Sequence, residues 1–261
     1  MYISTTYSTN TLLKELLAKG EWPEGERFLY TSFQTAGRGQ AGNGWESEEG
    51  KNLLCSVLMN ISPSPIAHRP FYLNVLVSVA VHKVIRSLLF ERSGLLSLSE
   101  AVSIKWPNDI YYGDKKIAGI LIENAILGNE VKYSIAGIGL NVNQTTFLSS
   151  APNPVSLKLI SGKETDIDAL MQALMAQIEA LKAMDEAQVW AYYREHLYRR
   201  EGLWPFVERE VSTAPTMNAD RKTEGVFLAK IENVRTNGEI ELRDQAGNLR
   251  TYHFKQVRYV L

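Results

Sequence analysis

The sequence predicts an α+β fold, with a larger domain of strands and helices followed by a small β-rich module. Three observations support this prediction. Helix-spaced apolar stretches at 12–20, 71–90 and 166–181 are interleaved with short β-rich pieces. After Trp204 the chain changes to short alternating strands separated by turns that contain glycine and asparagine. A length of 261 residues is enough for one large domain together with one small domain.

The first helix is predicted to begin at Ser8-Thr9-Asn10 and to end at Gly20. Its apolar face consists of Leu12, Leu13, Leu16 and Leu17. The later elements of the larger domain are predicted in chain order as strand 28–32, a glycine-rich loop at 37–44, strand 52–59, helix 71–90, strands 102–106, 110–112, 117–123 and 131–142, a helix capped by Asp166, and a helix at about 187–198.

The C-terminal module is predicted from three alternating segments at 226–231, 239–243 and 249–254. Turn residues at 236–238 and 245–248 separate them. We therefore divide the chain into a larger domain at 1–204 and a small β-domain at 205–261.

Composition excludes several classes of protein. The net charge of −1 provides no broad basic field for nucleic acid, so specific DNA binding is not expected. The single cysteine, Cys55, lies in an apolar run and is expected to pack as a small hydrophobe, consistent with a reducing cytoplasm. The N-terminus lacks the pattern of a signal peptide, and no apolar stretch is expected to span a bilayer. We expect a cytoplasmic protein that does not insert into membranes.

The glycine-rich loop matches G-x-G-x-x-G over residues 37–42. A dinucleotide site would need a helix directly after the loop and an acidic residue about 20 positions later, and neither is present. Kinase and P-loop signatures are also missing. The backbone N–H groups of the loop can approach an anion, and Arg38 supplies a fixed positive charge suited to phosphate or carboxylate. The flat indole of Trp45 could stack on a base or a sugar ring, or it could simply fill the core.

A second polar cluster is the block Lys105-Trp106-Pro107-Asn108-Asp109. Proline interrupts the strand ladder, so Asn108 and Asp109 are predicted at a turn beside a buried sheet. Lys116 follows and precedes a nearly uncharged run. A third feature is the strand that carries Gly137 and Gly139, because glycine within a strand indicates close approach of a ligand or another backbone. The four histidines are scattered, so no protein metal site is predicted.

Taken together, these segments resemble the biotin–protein ligase family in order and spacing. The resemblance is close from Ser8 to Asn143 and looser beyond. It implies a class II aminoacyl-tRNA synthetase-like catalytic fold, which is a mixed sheet with helices on one side, followed by a small SH3-like β-barrel. It also implies activation of biotin with ATP and transfer of biotin to a lysine of a biotin carboxyl carrier domain of a carboxylase. The oligomeric state, monomer or homodimer, stays open.

The resemblance implies a role for each matching residue. Biotin would be held by Ser8, Thr9, Asn10, Gln34, Gly37, Arg38, Gly39, Gln40, Lys116, Gly119, Gly137 and Gly139. ATP and the adenylate would contact Arg38, Trp45, Asn108, Lys116 and Asn141. The catalytic residues would be Lys116 between carboxylate and α-phosphate, Arg38 near the anionic groups, and Asp109 facing the acceptor lysine. Mg²⁺ would accompany ATP and offset the repulsion between the two anions.

Two departures from the family pattern stand out. The family loop often carries further arginines, where this chain has Gln40, Ala41 and Asn43. The Ser-Thr-Asn signature begins at Ser8, so we expect a single-function ligase without the N-terminal helix-turn-helix domain of the repressor members. The nearest alternative is a lipoate–protein ligase with the same two-step chemistry, and a non-catalytic binding module or regulator is the alternative from a different class.

Overall fold

The computed structural model describes residues 1–61, 68–128, 130–148, 153–209 and 225–261. Its strands are β1 Tyr2–Thr6, β2 Phe28–Gln34, β3 Leu53–Asn60, β4 Val102–Lys105, β5 Asp109–Tyr112, β6 Lys115–Leu127, β7 Glu130–Leu140, β8 Trp204–Glu208, β9 Val226–Val234, β10 Ile240–Asp244, β11 Leu249–Tyr252 and β12 Val257–Tyr259. Its helices are α1 Thr9–Lys19, α2 Phe71–Ser93, α3 Leu96–Glu100, α4 Leu157–Ser161, α5 Ile167–Lys182 and α6 Glu186–Glu195.

The larger sheet has seven strands in the order β1-β2-β3-β7-β6-β5-β4. Strands β1 and β2 are parallel, and the other neighbours are antiparallel. The predicted mixed sheet with helices packed on it is therefore confirmed. Strand β1 and helices α3 and α4 were not predicted.

Helices lie on both faces of this sheet, so the expectation of helices on one side is wrong. The main core joins α2, α5 and α6 to one face, with Leu73, Leu174 and Tyr193 packed with the strands. Helix α1 covers part of the opposite face, where Leu13 packs against Leu29 and Ile135. The reason is that β3 and β7 carry apolar side chains on both faces of the sheet. Helices on one face can cover only half of these side chains, so the other face needs a helix of its own.

Helix α2 corrects a second expectation. By length and composition it is apolar enough to cross a membrane, contrary to the sequence analysis, and 67% of its most apolar window is buried inside the protein. Its residues Leu73, Val77, Ala80 and Ile85 are fully or almost fully buried. The helix is apolar on all sides because it is packed by the sheet, α5 and α6.

The C-terminal strands form a five-stranded antiparallel sheet in the order β11-β10-β9-β8-β12. Within the described ranges 204–209 and 225–261, no pair closes this sheet into a ring, so the sheet is confirmed and the SH3-like barrel stays a prediction. The predicted turn at 236–238 contacts the larger domain. The Gly238 carbonyl accepts a bond from the Trp106 indole, and Phe71 packs where a Cβ at position 238 would lie.

Candidate active site

A cavity of about 520 Å³ opens on the α1 face of the larger sheet, between the start of α1, the glycine-rich loop and the C-terminal sheet. The sequence-predicted residues that line it are Ser8, Thr9, Asn10, Gln34, Arg38, Gly39, Gln40, Trp45, Asn108, Asp109, Lys116, Gly119, Gly137 and Gly139. These residues come from segments more than 100 positions apart, and the fold brings them to one cavity.

The N-terminus of α1 opens into the cavity. Ser8 is the N-cap and is buried, yet its side chain makes no capping bond. Thr9 donates from its backbone N–H and its hydroxyl to Gln34 Oε1 at 2.8 and 3.1 Å, which ties the helix start to the end of β2. The helix N-terminus carries partial positive charge, so this end favours an anion or a carbonyl oxygen.

The glycine-rich loop forms a short hairpin over the cavity. The Trp45 N–H donates to the Gly37 carbonyl at 2.9 Å, and the Gly39 N–H donates to the Asn43 carbonyl at 2.7 Å. The Arg38 guanidinium donates to Thr11 Oγ1 at 2.9 Å and forms an ion pair with Glu123 at 2.7 Å. The sequence analysis assigns Arg38 to the anionic groups of the substrates. In this structure the Arg38 guanidinium is paired with the Glu123 carboxylate, which lies beside the cavity.

Glycines form the floor of the cavity because the strands bring them to one face. Gly119 and Gly139 are directly opposite each other in β6 and β7, and Gly137 lies two residues along β7 on the same face. A Cβ at Gly139 would lie 2.4 Å from the Trp45 ring, and one at Gly119 would lie 2.9 Å from it. A Cβ at Gly137 would lie 2.5 Å from Asn10 Oδ1. These glycines allow Trp45 and Asn10 to lie directly on the sheet.

The Trp45 indole lies flat in this site, and its Nε1 is buried without a hydrogen-bond partner. Lys116 Nζ is 5.8 Å from the centre of the ring. A buried N–H without a partner is rare in folded proteins.

Lys116 and Asp109 form an ion pair at the wall of the cavity, with Nζ and Oδ1 2.7 Å apart and each side chain about one third exposed. Lys116 is at the start of β6 and Asp109 at the start of β5, after the turn made by Trp106-Pro107-Asn108. The turn was predicted correctly for Asn108, while Asp109 already belongs to the strand. An anion that reaches Lys116 would compete with the Asp109 carboxylate for the Lys116 ammonium group.

Two amides connect the loop to the core. Gln40 Nε2 donates to Asn108 Oδ1 at 3.0 Å, and Asn108 Nδ2 donates to Asn74 Oδ1 at 2.9 Å. Asn108 is buried, so its side chain is held in place from both sides. Gln40, one of the departures from the family pattern, therefore makes a neutral contact with the turn between β4 and β5, and Asn108 connects this turn to α2.

Two predicted residues do not line the cavity. A Cβ at Gly37 would be 2.5 Å from the Trp45 carbonyl oxygen, so this position requires a residue without a side chain. Asn141 is buried after the end of β7, and its Nδ2 donates to the Val155 carbonyl at 3.1 Å. The contacts of Gly37 with biotin and of Asn141 with adenosine stay predictions.

The cavity also has lining residues to which the sequence analysis gave no role. Lys105 lines it, and burial lowers the pKa of its ammonium to about 8. From the C-terminal module come Arg209, just after β8, Lys255, in the turn before β12, and Arg258, in β12. Lys105 stood within a block already singled out, but no local pattern links residues near 255 to the glycine loop. The contribution of the C-terminal module follows only from the way it packs.

Among the residues that the structure describes, no group of three or more His, Cys, Asp or Glu side chains could hold a metal ion. The cations near the cavity are instead side chains. Arg38 and Lys116 each face a carboxylate, and Lys105 is partly desolvated. Such an arrangement can bring two anions together and stabilise charge that develops between them.

Comparisons with known proteins show the family to which this chain belongs. A sequence profile described as the Biotin/lipoate A/B protein ligase family matches residues 2–141. The "Bifunctional ligase/repressor BirA" of Escherichia coli is 29% identical over 205 residues, which cover 78% of this chain and 59% of that protein. The "Biotin--[acetyl-CoA-carboxylase] ligase" of Mycobacterium tuberculosis is 29% identical over 179 residues, which cover 68% of this chain and 62% of that protein.

The chain thus spans about three fifths of the length of these two relatives. Among solved structures, the biotin protein ligase from Aquifex aeolicus in complex with biotin and ATP has a similar fold, with a TM-score of 0.72 and 22% identity. The superposition covers 100% of this chain and 98% of that one. The profile match spans more than half of the chain and includes the glycine loop, Lys116 and all three floor glycines. The chain belongs to the Biotin/lipoate A/B protein ligase family.

Proposed function

We propose that this protein is an ATP-dependent biotin–protein ligase. The observation that supports it most directly is the single cavity in which the Arg38 hairpin, the Lys116–Asp109 pair and the floor glycines meet. Such a cavity suits a reaction between a carboxylate and a triphosphate. The mycobacterial relative and the Aquifex aeolicus structure are named for biotin, which favours biotin over lipoate.

In the first step, a carboxylate oxygen of biotin attacks the α-phosphorus of ATP. The bond to pyrophosphate breaks, and biotinyl-5′-AMP and pyrophosphate are formed. Lys116 leaves Asp109 and lies between the two anions, and Arg38 offsets further negative charge. ATP enters with Mg²⁺, whose charge lowers the repulsion between the reactants. The hairpin over the cavity limits the access of water to the anhydride.

In the second step, the amine of an acceptor lysine attacks the biotinyl carbonyl carbon and AMP leaves with the bonding electron pair. A free lysine with a pKa of about 10.4 is mostly protonated near neutral pH. Asp109, released when Lys116 moves to the adenylate, orients the amine and accepts its proton. The product is an amide between biotin and the lysine of a biotin carboxyl carrier domain.

The acceptor domain belongs to a biotin-dependent carboxylase, as the name of the mycobacterial relative suggests. We also propose a cytoplasmic location, which suits the single buried thiol of Cys55, and the absence of specific DNA binding, which suits the net charge of −1. A gel shift that depends on DNA sequence and survives physiological salt would contradict the latter.

The test is a mass measurement. Protein, MgATP and either biotin or lipoate are incubated with a carrier domain, and the carrier gains one biotinyl group only in the biotin reaction. Lys116→Ala should abolish pyrophosphate release while circular dichroism stays unchanged, because the cation between the two anions is lost. Lys115→Ala, which removes the exposed neighbouring ammonium, is the matched control. Lipoylation in place of biotinylation, or wild-type pyrophosphate release from folded Lys116→Ala, would contradict the proposal.

A further inference from the structure

Glu123 is a charged residue beside the cavity that has no role in the steps described above. It lies at the end of the apolar run of β6, opposite Ile135 of β7, and so shares the sheet face of Gly119 and Leu121. Its two carboxylate oxygens have different partners. Oε1 accepts from Arg38 at 2.7 Å, and Oε2 accepts from Asn10 Nδ2 at 2.8 Å. One carboxylate therefore connects the glycine hairpin to the helix start.

The amide of Asn10 has only one orientation that satisfies its neighbours. Its Nδ2 group faces two acceptors, Glu123 and the Leu121 carbonyl at 3.3 Å. Its Oδ1 accepts from Ser56 Oγ at 2.6 Å and lies over Gly137. Rotating the amide by 180° would place its oxygen against the Leu121 carbonyl oxygen. The direction of the Asn10 amide is thus determined by the Glu123 carboxylate, its shorter acceptor, together with the Leu121 carbonyl.

The charge of Glu123 is maintained in this position. Partial burial favours the neutral acid, but hydrogen bonds from Arg38 and Asn10 and the nearby charges of Arg38 and Lys14 outweigh it, so the pKa of Glu123 is lowered. The carboxylate is ionised at neutral pH and holds the Arg38 guanidinium, which also donates to Thr11. The hairpin is thereby attached to α1 and β6 at the side of the cavity where Asn10 lies.

We propose that Glu123 is a positioning residue for biotin binding, which acts by orienting the Asn10 amide and by holding the Arg38 hairpin against the cavity. This inference rests on the proposed function and deepens it. Ser56 takes part in the same network through Asn10. An isolated surface ion pair would contribute little to either stability or binding. Glu123 differs because both of its partners belong to the predicted biotin site.

The structure offers a closely matched control. Arg69 and Glu186 form an ion pair of the same length, 2.7 Å, with side chains 43% and 26% exposed, against 45% and 25% for Arg38 and Glu123. Neither Arg69 nor Glu186 lines the cavity. Glu123→Gln and Glu186→Gln therefore each remove one carboxylate charge from an Arg–Glu pair of the same length and exposure. Only the pair that contains Glu123 lies beside the cavity.

The first experiment measures biotin binding by calorimetry and adenylation by pyrophosphate release. We expect Glu123→Gln to raise the biotin Kd at least tenfold, with the ATP KM changed less than twofold, while Glu186→Gln leaves both constants unchanged. In an Asn10→Ala background, Glu123→Gln should raise the biotin Kd by a clearly smaller factor than in the wild type, because only the contact with the Arg38 hairpin is left to lose. Equal biotin Kd values for Glu123→Gln and wild type, or full additivity with Asn10→Ala, would overturn the positioning role.

A second measurement needs no ligand. Hydrogen exchange of the Gly39 and Trp45 amides, which close the hairpin, should become several-fold faster in Glu123→Gln and stay unchanged in Glu186→Gln. Unchanged exchange in both variants would refute the attachment of the hairpin by Glu123. If the wild-type protein binds no biotin, the proposed function fails, while the exchange data still decide whether Glu123 holds the hairpin.

Discussion

Gly137 and Gly139 lie two residues apart on one strand face, and we predict that alanine at each position damages a different substrate site. At Gly139 the new methyl group would lie 2.4–2.8 Å from the Trp45 indole. At Gly137 it would lie 2.5 Å from Asn10 Oδ1. Neither glycine has the positive φ that would strain alanine, so both substitutions act through contact alone.

The magnitude follows from the overlap. Ordinary contact begins at 3.4 Å, so the indole must move by about 1 Å to admit the methyl group. Overpacking of this kind costs about 1–3 kcal/mol, which corresponds to roughly 5- to 150-fold in affinity. Since Trp45 lies in a loop, the cost should appear as weaker ATP binding more than as lost stability. At Gly137 the displaced group is the buried Asn10 amide, and biotin binding should suffer.

The assay is a pair of titrations. Gly139→Ala should raise the ATP KM for pyrophosphate release with the biotin Kd within twofold, and Gly137→Ala should do the reverse. Gly225→Ala, in open space with an ordinary backbone, is the control. In a Trp45→Ala background Gly139→Ala should have no further effect. The reasoning is refuted if both variants change both constants equally, or if the effects of Gly139→Ala and Trp45→Ala add.

Three further outcomes are expected. Asp109→Asn should slow transfer to the carrier more than adenylation in single-turnover measurements, and equal losses would mean that it acts only through Lys116. Gln40→Arg should slow escape of biotinyl-adenylate about fivefold, because a charge-assisted contact replaces the neutral bond to Asn108, and an unchanged release rate would refute this. Burial lowers the pKa of His82 to about 3 from about 6.5 in the unfolded chain, so only the unfolded state gains the proton between these values. Stability should therefore fall by about 2 kcal/mol from pH 7 to pH 5 in urea titrations, and His82→Gln should lose less, whereas an equal loss would exclude His82 as the cause.

Local chemistry in the sequence determined several elements correctly. Gly20 ends α1 with a left-handed backbone, and Asp166 caps α5 by accepting bonds from the N–H groups of residues 168 and 169. The two-residue spacing of Gly137 and Gly139 already places both on one strand face. These features depend on residues within a few positions of each other, so the chain order contains the information needed.

Segments that depend on distant partners were missed or misjudged. Strand β1, Tyr2–Thr6, is polar and mostly exposed, and its strand character comes from pairing with β2 some 28 residues later. The helix predicted to run to Tyr198 ends at Glu195, because the next residues pair with β4 through Ile104. In both cases a long-range backbone pairing outweighs the local pattern.

For the site, the sequence predicted which residues carry the chemistry, and the tertiary structure decided which partners these residues contact. The motifs and their resemblance indicated Arg38, Lys116 and Asp109 as the charged groups of one reaction. Strand order brings Arg38 to Glu123, and the docking of the two sheets brings Lys255, in the turn between β11 and β12, to the same cavity. Electrostatic pairing acts over a few ångströms in space. Arg38 and Glu123 are 85 residues apart in the sequence, and Lys255 is more than 130 residues from Lys116, so no local sequence pattern indicates that these residues lie close together.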